Sequence, residues 1–219
     1  MSGEASSGGP RLHVEATADR RFGTNSYLVM DESTRDAVVI DANLEPDLMI
    51  ELVKGRGAVI RAILLTHTDV DHIAGLSALL EAFGPVPVAV HSAERYVVAE
   101  GKALRREFGE FAVRADNVVE LTENATFRAG SLEFQVLHTP GHSPGGVTLK
   151  IESYLFTGDA LFAGSIGRSD FANSDGKALL AGIKEKLLSQ PDDYVVYSGH
   201  GPATNVGRER LANPFLSGD

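Results

Sequence analysis

Four apolar runs in this chain end in the same way, and that repetition restricts the folds open to it. "AILLT" runs into "HTDVDH" at residues 67–72, and "EFQVLHT" into "PGHS" at His142. "YLFTG" leads to Asp159, and "VVYSG" leads to His200. Short β-type apolar runs that close on Gly, Pro or polar residues read as strands. The first loop residues beyond a strand are where a scaffold presents reactive groups. Taken singly, each residue has a plain reading: Asp69 or Asp71 as the cap of the next helix, Asp159 as a turn residue, His142 and His200 as loop histidines. Taken together, those plain readings require strand end after strand end to have collected metal-type ligands by chance.

The densest stretch places His67, Asp69, Asp71 and His72 within six positions. If the segment is extended, alternation puts His67, Asp69 and Asp71 on one side. His72, at the turn into a helix, then points elsewhere, so one compact loop serves two metal ions. His13, His91 and His138 lack such company and read as structural or surface residues.

Between these points the chain alternates strands and amphipathic helices. "NSYLVM" and "DAVVIDA" read as neighbouring strands. "EPDLMIELVKGRG" reads as a helix with Pro46 in its first turn and a glycine at its close. Ile73, Leu76, Leu79, Leu80 and Phe83 fall at helical spacing after the ligand loop, and Gly84 with Pro85 ends that helix. "VPVAVH" is a strand, and "SAERYVVAE" a helix capped by Ser92. "GGVTLKI" and "SYLFTGDA" are strands, and "DGKALLAGIKEKLLS" is a helix. Two runs of strands, each followed by helices, predict a sandwich of two sheets with helices outside. Residues 101–116 are charged and carry no clear period. The Gly/Ser-rich segment 1–10 is expected to be a disordered tail, leaving 11–219 as one domain.

Composition narrows the function. The chain has no cysteine, which removes disulfides, thiolate nucleophiles and Cys-based zinc sites at once. A net charge of -10 without a basic run argues against nucleic acid as a partner. No apolar run reaches the length of a membrane span, and the N-terminus lacks the apolar core of a secretory signal. A cytoplasmic protein acting on a small molecule is the expectation, with the oligomeric state open.

The ordered set "THTDVDH", "TPGHSPGG", "LFTGDALF" and "YSGHGPAT" resembles the metallo-β-lactamase superfamily. "GSIGRSDF" and the closing "GHGPATNVGRERLANPFL" look like its hydroxyacylglutathione hydrolase (glyoxalase II)-like branch. The resemblance implies a four-layer αβ/βα sandwich, two mixed sheets with helices on the outer faces, and two divalent metal ions at one edge. By position, His67, Asp69 and His142 would hold one ion. Asp71, His72 and His200 would hold the other, with Asp159 between them. Asp41 would support the ligand loop, its plain alternative being a strand-end turn residue.

The resemblance also exposes a departure. The family loop is His-x-His-x-Asp-His, and position 69 here is Asp. An anionic oxygen in place of an imidazole makes a site harder and less zinc-selective. Zinc remains the expected metal, with iron or manganese as alternatives. Asp69 could also fall short of the ion, or mark a site that has lost its metal.

The implied reaction is hydrolysis by a metal-activated water, with Asp71 orienting that water and handling its proton. The implied substrate is a thioester, S-lactoylglutathione or a related acyl thioester. Larger members of the branch carry a C-terminal helical domain that grips glutathione. This chain continues only 19 residues past His200, so that domain is expected to be absent and glutathione specificity is open. Arg168 either pairs with Asp170 or meets a substrate carboxylate. Tyr96, Arg105, Arg106 and Phe108 form a candidate substrate-side segment, with a solvated helix face as the default. Two rival readings stand beside the hydrolase. One is a mononuclear iron oxygenase like the persulfide dioxygenases, which share the "GR.DF" loop. The other is a non-catalytic binding module with a degenerate site.

Overall fold

The computed structural model describes residues 11–105 and 114–216. The expected tail at 1–10 lies outside the described residues, as do Arg106 and Phe108.

The first sheet contains β1 (Leu12–Ala18), β2 (Asn25–Asp31), β3 (Asp36–Ile40), β4 (Val59–Leu64), β5 (Val88–His91) and β6 (Val118–Leu121), in spatial order of sequence. β1, β2 and β3 pair antiparallel, and β3 to β6 pair parallel. The second sheet adds β7 (Thr126–Ala129), β8 (Leu132–His138), β9 (Val147–Ile151) and β10 (Tyr154–Gly158). Beyond a small hairpin of β11 (Leu161–Phe162) and β12 (Ser165–Ile166), it closes with β13 (Val195–Ser198) and β14 (Thr204–Asn205). Its order is β14-β13-β10-β9-β8-β7, with β10 and β13 parallel. Both sheets are mixed, as expected.

Strand alternation divides the core into layers. On β2 and β3, Tyr27, Val29, Val38 and Ile40 face the second sheet and meet Phe134, Val136, Leu149 and Phe156. The intervening Leu28, Met30, Ala37 and Val39 face outward onto Met49, Val53, Leu76 and Leu79 of the helices. These helices are α1 (Pro46–Arg56), α2 (Val70–Ile73), α3 (Leu76–Phe83) and α4 (Arg95–Glu100). Behind the second sheet, Leu155 and Val196 pack on α5 (Gly176–Gly182), its wider-turned continuation Ile183–Leu187, and α6 (Val206–Ala212). A strand covered on both faces reads as a near-continuous apolar run, and all five residues of β3 are buried, with Asp36 at its start paired to Arg61. The result is the helix–sheet–sheet–helix sandwich.

Local chemistry departs from expectation in three places. The helix expected from "SAERYVVAE" begins as a 3₁₀ turn, Ser92–Glu94, and its cap is the His91 ring accepting from Ala93 N, not Ser92. The helix after the ligand loop is broken at Ala74 and Gly75 into α2 and α3. Gly75 lies where a Cβ would overlap Asn43 O, so the close approach of α3 to the loop after β3 requires glycine. The strands β1, β6 and β7 have no counterpart in the sequence reading.

Candidate metal centre

β4 delivers the first ligand-type residues. Its extension is held by Leu65 N donating to Ala89 O and by Val147 N donating to Thr66 O, a bond that joins the two sheets at the site. Asp69 is the last extended residue, and the helical turn of α2 begins at Val70. The alternation therefore stops one residue too early to place Asp71 beside His67 and Asp69, and this corrects the sequence expectation. On a helical turn Asp71 and His72 share a neighbourhood, with Asp71 Oδ2 3.6 Å from His72 Nε2.

The remaining residues arrive from the second sheet. His142 follows β8, Asp159 follows β10, and His200 follows β13. The loop at His200 is anchored across the sandwich: Tyr27 Oη and Asn25 Nδ2 both donate to Ser198 O, and Asn25 N donates to Gly199 O. A Cβ at Gly199 would overlap Asp159 Oδ1 and press on His72 Cε1, so glycine is what lets this loop approach the cluster.

Seven side chains thereby converge. Three sets of donor atoms lie close enough to share an ion: His67, Asp69 and His142; His67, His72 and Asp159; and Asp71, His72 and His200. Asp159 faces both sides. Its Oδ1 is 3.3 Å from His72 Nε2, and its Oδ2 is 3.4 Å from His200 Nε2 and 3.7 Å from His142 Nε2.

Each imidazole spends Nδ1 on a fixed oxygen. His72 Nδ1 meets Asp41 Oδ2 at 2.8 Å, His142 Nδ1 meets Arg168 O at 2.8 Å, and His200 Nδ1 meets Phe22 O at 3.2 Å. His67 Nδ1 lies 3.1 Å from Thr66 Oγ1, whose own proton goes to Asp41. With Nδ1–H donated outward, each ring aims the Nε2 lone pair inward, which is the tautomer a metal ligand needs. Asp41, at a left-handed φ of 58° after β3, also accepts from Thr66 N and Thr66 Oγ1. Thr24 Oγ1 donates to Asp71 Oδ2 at 2.7 Å.

Among the described residues, His67 Nε2, His72 Nε2 and Asp159 Oδ1 are buried without a hydrogen-bond partner. Buried polar atoms are ordinarily satisfied. Three unsatisfied lone-pair donors aimed at one point fit a divalent cation, and so do the nitrogen and oxygen types around them.

The charge state agrees. Burial pushes His67 down, with the adjacent His72 adding to it. Burial works against the charged forms of His142, His72 and His200, yet neighbouring carboxylates outweigh it. Asp69 raises His142, and Asp159 with Asp41 raises His72 well above the ordinary value. Hydrogen bonds donated by its ring to Asp159 and Asp71 carry His200 to about 10. Against burial, His142, His67 and Arg105 bring Asp69 to about 2, and His72 foremost holds Asp159 and Asp71 far below the carboxylate range. Without a cation, protons are what balance this anionic cluster.

Asp69 does not cap α2; no side-chain cap bond is made there. Its Oδ2 lies 2.9 Å from His142 Nε2 and 3.8 Å from His67 Nε2. Its Oδ1 accepts from Arg105 Nε at 2.6 Å. Arg105 is 5% exposed, which overturns the solvated face expected for it. Its remaining nitrogens donate to His142 O and Asn173 Oδ1, and its guanidinium lies 3.8 Å from the Phe171 ring centre. Tyr96, by contrast, is partly exposed. Arg168 is exposed and pairs through two nitrogens with Asp170 at 2.9 and 3.0 Å, the ion-pair alternative.

Glu94 is a further site residue that the sequence did not single out. Fully buried, it accepts from Thr68 N, Thr68 Oγ1 and Gly145 N, each at 2.7 Å, and so ties the ligand loop to the loop carrying His142. His91 and His138 stack at 4.0 Å away from the cluster. Asp69, Asp71, His142, Asp159 and His200 open onto a cavity of about 760 Å³, walled by Phe22, Leu44, Phe162, Ile166 and Phe171, with Arg21 and Arg168 also lining it.

A two-sheet sandwich with a buried His/Asp donor cluster at the strand ends defines the class of metallo-hydrolases. The chain belongs to the metallo-beta-lactamase superfamily, whose family model matches residues 19–200. It is 35% identical over 200 residues to the probable metallo-hydrolase YqgX of Bacillus subtilis, covering 89% of this chain and 92% of that protein. It is 30% identical over 211 residues to the hydroxyacylglutathione hydrolase GloC of Haemophilus influenzae, covering 94% and 99%. Among solved structures, TTHA1623 in a di-iron-bound form superposes with a TM-score of 0.80 at 37% identity, covering 92% of this chain and all of that one. ETHE1 from Myxococcus xanthus superposes with a TM-score of 0.77 at 28% identity, covering 94% and 86%. No helix among the described residues is long and apolar enough to cross a membrane.

Proposed function

We propose that the protein hydrolyses a thioester with the help of two divalent cations, in the manner of a hydroxyacylglutathione hydrolase. The observation that carries the metal reading is the convergence of His67 Nε2, His72 Nε2 and Asp159 Oδ1, buried and making no hydrogen bond. His67, Asp69 and His142 would hold one ion and Asp71, His72 and His200 the other, with Asp159 within reach of both groups. Zinc suits the four imidazoles, while the three carboxylates among them, Asp69, Asp71 and Asp159, also suit iron or manganese. The ions supply Lewis acidity and a water that ionises near neutral pH.

The chain's own residues do the rest. Asp71 Oδ2, fixed by the Thr24 hydroxyl, accepts and relays the proton of the attacking water. The apolar walls of the cavity take up the acyl chain and exclude bulk water, which strengthens every charge interaction inside. A thiolate leaves readily, so no protein acid is needed beside it. The likeness to GloC supports the thioester.

A second reading, an iron oxygenase acting on persulfides, draws on the set His67, His72 and Asp159, two imidazoles and one carboxylate, and on the likeness to ETHE1. One experiment separates the two. Protein loaded with Zn, Mn or Fe is given S-lactoylglutathione and an acyl-coenzyme A thioester, with thiol release followed by a chromogenic disulfide. In parallel, oxygen uptake is followed with glutathione persulfide. Metal-dependent thiol release without oxygen uptake is expected. Oxygen uptake with no thiol release would overturn the hydrolase in favour of the oxygenase.

A further inference from the structure

Asp69 uses its two oxygens for different tasks. Oδ2 faces His142 Nε2 and His67 Nε2, the nitrogens with which it forms a metal-sized group. Oδ1 is turned away and bound at 2.6 Å by Arg105 Nε. The arginine has no freedom to leave. Its side chain is 2% exposed, its other nitrogens are bound to His142 O and Asn173 Oδ1, and Phe171 covers its face. Arginine is almost never buried to this degree unless it is paired, and the carboxylate it pairs with is Asp69.

We propose that Asp69 and Arg105 work as one neutral unit, electrically equivalent to an imidazole, in which Asp69 Oδ2 is the donor and Arg105 fixes and neutralises the other oxygen. The inference rests on the proposed metal reading and concerns one of its two sites. A free carboxylate can swing to bind an ion through both oxygens and brings a full negative charge. With Oδ1 locked, only single-oxygen contact remains. Group by group, His67, Asp69 and His142 carry one negative charge, and Arg105 brings that to zero. Asp71 and Asp159 have no arginine in contact among the described residues, so the centre is electrically lopsided. Arg105 also binds the backbone carbonyl of His142, so one side chain sets the position of two of the three donors. It is a positioning residue and sets which metal this group prefers. Zinc tolerates a neutral nitrogen-rich set, whereas an uncompensated carboxylate favours harder, oxygen-loving ions.

The test compares wild type with Arg105→Met, Arg105→Lys, Asp69→His and the double variant Asp69→His/Arg105→Met. Each is stripped with chelator, loaded from equimolar Zn and Mn, and analysed for metal per chain. Each is also loaded with Co(II) and its visible absorption recorded. Arg105→Met is expected to shift the Zn:Mn ratio several-fold toward Mn and to change the Co(II) bands as Oδ1 is freed. Arg105→Lys is expected to fall between, since it keeps the charge but not the fork. The double variant is expected to prefer zinc at least as strongly as wild type. Asp69→His alone, which strands a buried guanidinium, is expected to have a lower metal-free Tm than the double variant.

A folded Arg105→Met with wild-type metal ratio and Co(II) bands would overturn the inference while leaving the metal reading intact. Wild type that takes up no Zn, Mn or Co would overturn both. Should Arg105→Met fail to fold, the double variant decides: recovery of fold and zinc upholds the coupling, and failure to recover either overturns it.

Discussion

Asp41 Oδ2 lies 2.8 Å from His72 Nδ1, and both groups are buried. A carboxylate in this position fixes the tautomer and orientation of the ring and strengthens Nε2 as a donor. Because Asp41 also accepts from Thr66 N and Oγ1, it must offer acceptor capacity on both oxygens. Asparagine cannot, since its amide group would face a donor. Asp41→Asn is expected to weaken metal binding by about 10- to 100-fold, measured by competition with a chromophoric chelator. An unchanged affinity would show that Asp41 does not orient His72.

Glu94 is expected to matter for stability more than for charge. Its three accepted hydrogen bonds come from donors that have no water to turn to in that buried setting. Leaving a buried donor unpaired costs about 1–3 kcal/mol. Glu94→Ala is therefore expected to cost on the order of 3 kcal/mol or more, and Glu94→Gln less, because the amide oxygen can still serve one side. Chemical denaturation of metal-free protein checks the order. A Gln variant as unstable as the Ala variant would contradict it.

Much of this was readable in the sequence, for a physical reason. Strands buried on both faces carry near-continuous apolar runs, such as residues 37–40 of β3, and ligands at strand ends stand next to that signal. What escaped had no such signature. β1 is a half-exposed edge strand whose "LHVEATA" mixes polar and apolar residues. The hinge from extended chain to helix at Val70 moves Asp71 to the His72 side, and a shift of one residue in that boundary is beyond what a sequence pattern resolves. Arg105 and Glu94 act across 36 and 26 residues on partners in the ligand loop. Their charged side chains look like solvated surface until the fold buries them. Asp69 drew notice as a departure from a motif, but its compensation lay in a stretch with no periodicity at all.

Gly199 offers a cleaner probe of the centre than any ligand. A Cβ there would collide with Asp159 Oδ1 and His72 Cε1 and come within 3.1 Å of the Gly158 carbonyl carbon. Gly199→Ala is expected to lower metal content and hydrolysis at least 10-fold with little change in the Tm of metal-free protein. A variant that keeps full metal content would mean that the loop yields easily, and that the close approach of β13 to Asp159 is not what assembles the site.

The stability of metal-free protein and the stabilisation conferred by metal are expected to change with pH in opposite directions. In the metal-free cluster His72, His142 and His200 are raised, burial opposing and carboxylates winning, with His200 reaching about 10. A raised histidine contributes stability that is whole below its unfolded value, about 6.5, and is lost as pH climbs through the folded value. Metal-free protein should therefore lose stability between about pH 6.5 and 10. His67, lowered chiefly by burial, acts only below its unfolded value and adds no slope over that interval. A cation must displace those protons to bind, so its affinity should rise over the same interval as the competition weakens. The stabilisation conferred by metal should then grow with pH while the metal-free baseline falls. Thermal denaturation with and without chelator at pH 6.5, 8 and 9.5 measures both slopes. Calorimetry in two buffers of different ionisation enthalpy at pH 7 should show net proton release on metal binding. Parallel slopes and no proton release would mean that the imidazoles are already neutral in the metal-free fold, and that protons do not balance the carboxylates as the distances imply.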